Sequence, residues 1–294
     1  MQRATRIPIS GVHSPVYHVN DTSSTLDLAA ALLADTTTAT PHLTTIIADR
    51  QSAGRGRLGR TWTTPDGQAL LASTIVSLPI SFPTEMLGWL VHACALSVRD
   101  ALSLRLSPLG HTVSLKWPND VLVDGARKIC GILAQLAPAS SPFTTSAILG
   151  YGINIAQDCD HLATPQATSL YAEGDTEAGA DPTSVSHTLL AQILSGLDSR
   201  IRGLVTHGNA RDCGLADEAA NALPLLGTRI ALAKPTDPNG HPAMEGVALG
   251  LSPTGSLLVA TDDGRTHDIN AGDVLATGIP LTTVHDTKEK RANN

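Results

Sequence analysis

Apolar positions along the chain follow two periods. Leu26, Leu28, Ala29, Leu32 and Leu33 recur at helical spacing behind the polar run Asp21-Thr22-Ser23-Ser24-Thr25. Hydroxyl and acidic residues placed there are of the kind that caps a helix N-terminus. Residues 85–106 are apolar around most of a helical circumference, which predicts a helix buried against a sheet. In residues 185–205, Leu189, Leu190, Ile193, Leu194, Leu197, Ile201 and Leu204 fall on one stripe, the pattern of an amphipathic helix. Shorter apolar runs at 16–19, 43–48, 69–78, 113–117, 121–123 and 128–136 predict strands, the third rich in β-branched Thr74, Ile75 and Val76. Pro118 cannot donate to a ladder, so the strand from Val113 ends there. Asp124-Gly125 predicts a hairpin turn, and the returning strand is apolar on both faces, as a central strand is. Residues 144–155 predict two strand pieces parted by Gly150-Tyr151-Gly152. Residues 1–15 read as a frayed start and 157–183 as a long loop rich in Asp, Gly, Thr and Pro.

From about residue 226 the texture changes. Short β-rich runs at 228–233, 244–251, 256–261 and 265–270 are parted by Asn239-Gly240, Pro253-Thr254-Gly255 and Asp263-Gly264. This is a meander of hairpins, the signature of a small barrel. The pattern predicts an α+β body over 16–223, a β-rich domain over 226–278 and a disordered polar tail over 283–294.

Composition narrows the classes. Hydrophobic residues are 42% and charged residues 16% of 294, enough for a sizeable core. A formal net charge of −7 argues against a protein that coats nucleic acid and requires functional positive charge to be local. The four cysteines, Cys94, Cys130, Cys159 and Cys213, form no CxxC pair and no zinc-site spacing with histidine, so free thiols in a reducing cytoplasm are expected. The start of the chain has no apolar signal region, and the apolar run 86–98 falls short of the roughly 20 residues that span a bilayer. A cytoplasmic protein without a membrane partner is the expectation.

Four polar islands interrupt the apolar body, each at the end of a predicted element: Ser24-Thr25, the segment GRGRLGR at 54–60, KWPND at 116–120 with Lys128, and GYGIN at 150–154. Glycines let a ligand approach the main chain, and each Arg carries a forked donor set suited to carboxylate or phosphate. A single Gly/Arg segment between apolar runs suits an anion-binding loop better than the repeated Arg/Gly tails that coat nucleic acid. Each island also has a structural explanation. Ser24 and Thr25 suit a cap, Asn119-Asp120 a turn, and Lys128 an exposed hairpin end. Gly150-x-Gly152 alone lacks the longer dinucleotide fingerprint.

Taken together, and in this order, Gln51 with GRGRLGR, KWPND, RKICGIL at 127–133 and GYGIN resemble the biotin–protein ligases, across residues 16–220. The resemblance implies a mixed or antiparallel sheet flanked by helices, with the β-rich tail as a small SH3-like barrel. It implies an ATP-dependent, AMP-forming enzyme that makes biotinyl-5′-adenylate and passes biotin to a lysine of a biotin carboxyl carrier protein domain of acetyl-CoA or acyl-CoA carboxylase. By resemblance, Arg55, Arg57 and Lys128 are catalytic. Ser24, Thr25, Gln51, Gly54, Arg55, Lys128 and Gly131 bind biotin. Arg57, Arg60, Trp62, Lys116, Asn119, Ile153 and Asn154 bind ATP, with Trp62 stacked on adenine. Asp120 is a candidate ligand of Mg²⁺. The family commonly has an Asn after Ser-Thr where this chain has Leu26, and often an Ala where it has Cys130. Cys130 reads as a small buried residue, or as a thiol whose pKa is lowered by nearby Lys128. Too little sequence precedes the first island for a helix-turn-helix, so the resemblance implies the monofunctional type without DNA, and it leaves room for a ligand-dependent homodimer. A lipoate ligase or octanoyltransferase shares the fold, but the Gly/Arg segment and KWPND argue against it.

Overall fold

The structure, a computed structural model, describes residues 4–35, 37–141, 143–233 and 242–279. Contacts divide the chain into two units: Met1–Pro224 with Pro253–Gly255, and Leu225–Ser252 with Ser256–Asn294.

In the first unit the elements run β1 (Thr5–Ile7), β2 (Val16–Thr22), α1 (Thr25–Ala34), β3 (Thr45–Gln51), β4 (Ala69–Pro79) and α2 (Gly88–Leu106). They continue with β5 (Val113–Lys116), β6 (Asp120–Val123), β7 (Arg127–Ser141), β8 (Thr144–Asn154), α3 (Thr176–Ala180), α4 (Pro182–His207) and α5 (Leu215–Ala222). The eight strands make one mixed sheet in the order β1-β2-β3-β4-β8-β7-β6-β5. Strands β2 and β3 pair in parallel through the α1 crossover, and the other neighbours are antiparallel. Strand β7 lies between β8 and β6, the central position its two apolar faces require.

Helix α1 packs Leu26, Ala29, Leu32 and Leu33 against Ile46, Ile75 and Ile148 on one face of the sheet. Helix α2 packs on β5, β6, β7 and β8 and against α4, and buries Trp89, Leu90, Leu96, Leu102 and Leu106. The expected break at 150–152 does not occur, and β8 runs unbroken, with Gly150, Tyr151 and Gly152 opposite Leu133, Ile132 and Gly131 of β7. The glycines serve close packing. A Cβ on Gly150 would lie 2.9 Å from Leu26 Cγ of α1, so the missing side chain admits the helix. Residues 5–7 do not fit the expected frayed start, since β1 pairs with β2 as a short edge strand. Residues 157–183 are not structureless: they hold a 3₁₀ turn at Cys159–His161, helix α3 and the first turn of α4.

The second unit is a five-stranded antiparallel sheet of β9 (Arg229–Ala233), β10 (Pro242–Leu251), β11 (Leu257–Ala260), β12 (Thr266–Ile269) and β13 (Asp273–Ile279), in the order β12-β11-β10-β9-β13. Strand β13, which the alternation did not mark, pairs with β9. Gly264 takes φ +82° in the turn between β11 and β12, a conformation that suits glycine. The expected turn at Asn239-Gly240 and the tail at 283–294 lie outside the described residues.

Candidate active site

One row of positions across the sheet organises the site. Asp120 of β6 stands opposite Gly131 of β7, Gly131 opposite Gly152 of β8, and Gly152 opposite Leu71 of β4. Opposed residues share a face, so a carboxylate and two side-chain-free positions lie side by side on the α1 face. The indole of Trp62 rests on those glycines. A Cβ on Gly152 would come within 2.6 Å of the ring, and one on Gly131 within 3.1 Å of Trp62 Cζ3 and 3.3 Å of Lys128 Nζ. Lys128 Nζ lies 2.7 Å from Asp120 Oδ1 and 5.7 Å from the centre of the Trp62 ring, within cation–π range.

The Gly/Arg segment reaches this row because it closes on itself. Trp62 N donates to Gly54 O at 2.9 Å, Gly56 N to Arg60 O at 2.7 Å, and Arg55 bridges Thr61. A Cβ on Gly54 would stand 2.3 Å from Trp62 O, so only glycine allows the two backbones this close. At the tip, Arg57–Gly59 forms a 3₁₀ turn with Leu58 at φ +58°. Arg55 pairs with Asp27 on α1, and Arg57 Nη1 donates to Asn119 Oδ1 at 3.1 Å. Asn119 is in turn clamped to β7: its Nδ2 donates to Ile132 O at 2.8 Å, and its main-chain oxygen accepts from Ile132 N at 2.9 Å. The Trp117–Pro118 peptide just before it is cis. Lys116, at the end of β5, pairs with Asp120 in the ladder.

On the α1 side, Gln51 Oε1 accepts from Thr25 N at 2.8 Å and from Thr25 Oγ1 at 3.1 Å, while Ser73 Oγ donates to Thr25 Oγ1 at 2.8 Å. Ser24 holds the N-cap position of α1, but its side chain makes no cap bond. Its buried Oγ has no hydrogen-bond partner, and the same is true of Trp62 Nε1 and Asp120 Oδ1. Asp120 Oδ1 nonetheless has Lys128 Nζ as its ion-pair partner at 2.7 Å. Buried polar atoms without partners are rare in folded proteins. Two of the three, Ser24 Oγ and Asp120 Oδ1, occur within the polar islands and Trp62 Nε1 lies two residues past the Gly/Arg segment, and the capping account of Ser24 fails on the same observation.

Not every expected residue presents its side chain to the row. By strand alternation Ile153 faces away from Gly152, fully buried on the other side of the sheet. The Asn154 amide is engaged at both ends, with Nδ2 donating to Thr168 O at 2.8 Å and Oδ1 accepting from Gln157 Nε2 at 3.1 Å. Arg60 sits at the exposed tip of the Gly/Arg loop.

The biotin--[acetyl-CoA-carboxylase] ligase of Mycobacterium tuberculosis is 34% identical over 230 residues, covering 78% of this chain and 77% of that protein. This chain belongs to the biotin protein ligase family. The profile of the Biotin/lipoate A/B protein ligase family matches residues 20–154, and that of the Biotin protein ligase C terminal domain matches 236–275. The biotin--[acetyl-CoA-carboxylase] ligase of Paracoccus denitrificans is 31% identical, over 75% of this chain and 85% of that protein. Among solved structures, the biotin protein ligase from Aquifex aeolicus in complex with biotin and ATP is similar, with a TM-score of 0.61 at 25% identity, over 90% of this chain and 98% of that one. All four polar islands lie within the residues that the first profile matches.

Within that site Cys130 is not an activated thiol. Burial pushes it well above the ordinary value, neighbouring Cys94 adds to this, and the opposing effect of Lys128 is smaller. It is the small buried residue, facing Cys94 of α2 across the sheet from the lysine. Among the described residues no helix is long and apolar enough to cross a membrane. Asp120 offers a metal one buried oxygen. Mg²⁺ is commonly held by one or two carboxylates together with substrate phosphates, and a single carboxylate fits that demand. The one group of three potential ligand residues among those described, His111, Asp124 and Glu173, lies at the β6–β7 turn and is engaged by Arg127.

Proposed function

We propose that this protein joins biotin to a lysine of a biotin carboxyl carrier domain in two steps, through biotinyl-5′-adenylate. In the first, an oxygen of the biotin carboxylate attacks the α-phosphorus of ATP and pyrophosphate leaves. In the second, the neutral ε-amine of the acceptor lysine attacks the acyl carbon. AMP departs with the bonding electrons, and the amine gives up a proton. The first step brings two anions together, so orientation and charge neutralisation must supply most of the acceleration. The observation that carries this reading is the cation Lys128 standing over the Gly131–Gly152 floor, between Asp120 and Trp62.

In this reading Lys128 exchanges Asp120 for the carboxyl and phosphoryl oxygens as they approach. Arg55 and Arg57 swing from Asp27 and Asn119 to the two anions, and the loop seals the mixed anhydride from water. Ser24 Oγ, buried without a partner, is suited to the ureido group, beside Thr25 and Gln51. The indole of Trp62 leaves its glycine floor to stack on adenine, with Lys116 and Asn119 on the nucleotide side. Asp120, freed from Lys128, would hold Mg²⁺, which supplies charge neutralisation on the triphosphate. The glycine row, which the indole covers in this structure, then takes the biotin ring system.

The test uses purified protein, ATP, Mg²⁺ and an apo carrier domain, with biotin in one arm and lipoate in the other. Biotin-dependent pyrophosphate exchange and biotinylated carrier are expected. Transfer of lipoate alone would overturn the substrate, and the lack of exchange with either acid would overturn the reaction class.

A further inference from the structure

The motif at 127–133 opens with an arginine that the proposed reaction does not use. Arg127 grips Glu173 with both arms of its fork, Nε to Oε1 at 2.6 Å and Nη2 to Oε2 at 2.8 Å, and Nη2 also reaches Asp124 Oδ2 at 2.7 Å. Glu173 is nearly buried, with a side-chain exposure of 6%. Its Oε1 also accepts from Thr168 Oγ1 at 2.6 Å, and His111 Nε2 stands 3.5 Å from its Oε2. Burial would raise the carboxyl, yet Arg127 and Thr168 hold it below its ordinary range.

This anchor ties down a strap, residues 166–173, which lies along the start of β7. Lys128 N donates to Gln166 O at 2.7 Å, and Thr168 N donates to Lys128 O at 2.8 Å. Both main-chain groups of Lys128 are therefore held by the strap. The β6–β7 ladder slips by one residue between Val121 and Leu122, so the regular pairing is interrupted where the lysine stands. The same Thr168 fixes Asn154 through its carbonyl. The strap thus reaches Lys128 and the end of β8 together, with its far end fixed by the Arg127–Glu173 pair.

We propose that Glu173 is a positioning residue for Lys128, acting through Arg127 and Thr168 on the strap. The proposal rests on the reading of Lys128 as the bridging cation. Without the anchor the strap loosens, and Lys128 Nζ no longer meets the reacting oxygens in register. Misplacement of a catalytic group by about an ångström costs on the order of 100-fold.

The experiment measures steady-state biotin- and ATP-dependent pyrophosphate exchange, with thermal melting, for Glu173→Gln, Thr168→Val, Thr168→Ser and Lys128→Ala. The first two are expected to lower kcat by roughly 10- to 100-fold while KM for biotin and ATP moves less than about threefold. Thr168→Ser keeps the hydroxyl and should stay near the parent. Removing one partner of a nearly buried pair risks unfolding. If Glu173→Gln does not fold, Thr168→Val against Thr168→Ser decides. The proposal is overturned if the folded variants keep the parent kcat, if loss falls on KM, or if Thr168→Ser loses as much as Thr168→Val. Lys128→Ala separates the two readings: parent-level exchange there would sink the role of Lys128 and this inference with it. An inactive Lys128→Ala beside a fully active Glu173→Gln would sink the positioning role alone.

Discussion

Gly152 supports a prediction whose sign can be worked from the structure. A methyl group at this position would stand 2.6, 2.7 and 2.9 Å from Cε2, Nε1 and Cζ2 of Trp62. Carbon contacts settle at about 3.5–4.0 Å, so in Gly152→Ala the indole has to retreat by about 1 Å. It cannot do so freely, because the Trp62 main chain is bonded to Gly54 at 2.9 Å and packs within 2.3 Å of the place a Gly54 Cβ would take. Overpacking of this kind costs about 1–3 kcal/mol. Against it stands the gain of about 0.5–1 kcal/mol that Ala brings over Gly inside a strand. The net expectation is destabilisation by roughly 0–2.5 kcal/mol. In a Trp62→Ala background the clash is gone and only the gain is left, so Gly152→Ala should become stabilising by about 0.5–1 kcal/mol. Urea denaturation of the four proteins measures this coupling directly. A Gly152→Ala effect of the same sign and size in both backgrounds would refute the reasoning, since the indole would then not be what requires the glycine.

Three further outcomes are expected. The Arg55–Asp27 pair is exposed on both sides, so Arg55→Gly should change stability by no more than about 1 kcal/mol, yet it should let biotinyl-adenylate escape and label lysines of an added bystander protein. A variant that turns over while labelling only the carrier would show that Arg55 is not the clamp. Burial lowers the pKa of His42 and of His92 from the ordinary 6.5. The unfolded chain therefore takes up protons that the folded chain refuses, so stability is full above pH 6.5 and declines as pH falls through the folded values. His42 Nδ1 accepts from Ser77 N at 3.1 Å, so His42→Asn, which keeps an acceptor there, should flatten the dependence of the urea midpoint between about pH 7.5 and 5.5, and an unchanged slope would exclude His42. A thiol reagent at pH 8 should label exposed Cys159 in the native protein and spare Cys94, which burial pushes to about 12, and Cys130; peptide mapping after labelling reads the order, and early modification of Cys130 would contradict its burial.

Much of this arrangement is legible in the sequence because its elements are strongly periodic or punctuated. Helices α2 and α4, the hairpin at Asp124-Gly125 and the strand ended by Pro118 follow from local rules. The polar islands stand out because each interrupts an apolar body at an element end. What local rules miss depends on contacts from far along the chain. Gly150 and Gly152 read as a strand break, since glycine signals conformational freedom and close approach with the same letter. Only Leu26 and Trp62, which fill the space above them, distinguish the two. Ser24 sits where a cap belongs, and no local feature says that its hydroxyl is left unbonded. Glu173 lies 46 residues from Arg127 in a segment with no apolar period, so its role emerges only once the strap lies on β7. Helix α5 was the readable omission: Asp217 and Glu218 in its first turn are an N-terminal signal.

The charge of the site explains why its parts rest as they do. The protein as a whole is acidic, at −7, and the cations of the site stand against its own carboxylates and amides. The structure shows this: Arg55 rests on Asp27, Lys128 on Asp120, and Arg57 donates to the Asn119 amide. The Arg55–Asp27 pair is exposed on both sides, and such pairs are weak. In the proposed reaction a carboxylate and a triphosphate arriving together would offer more charge in a drier place, which would favour the exchange of partners. Asp27 and Asp120 then have separate consequences. Asp27 is exposed and returns to water at little cost. Asp120 is largely covered and would be left with an uncompensated charge, which a divalent cation carried in on the phosphates would neutralise. In the proposed reaction metal binding would be coupled to the departure of Lys128 from Asp120, and Asp120→Asn should shift the Mg²⁺ titration of pyrophosphate exchange to higher concentration. A Mg²⁺ titration curve unchanged from the parent would break that coupling.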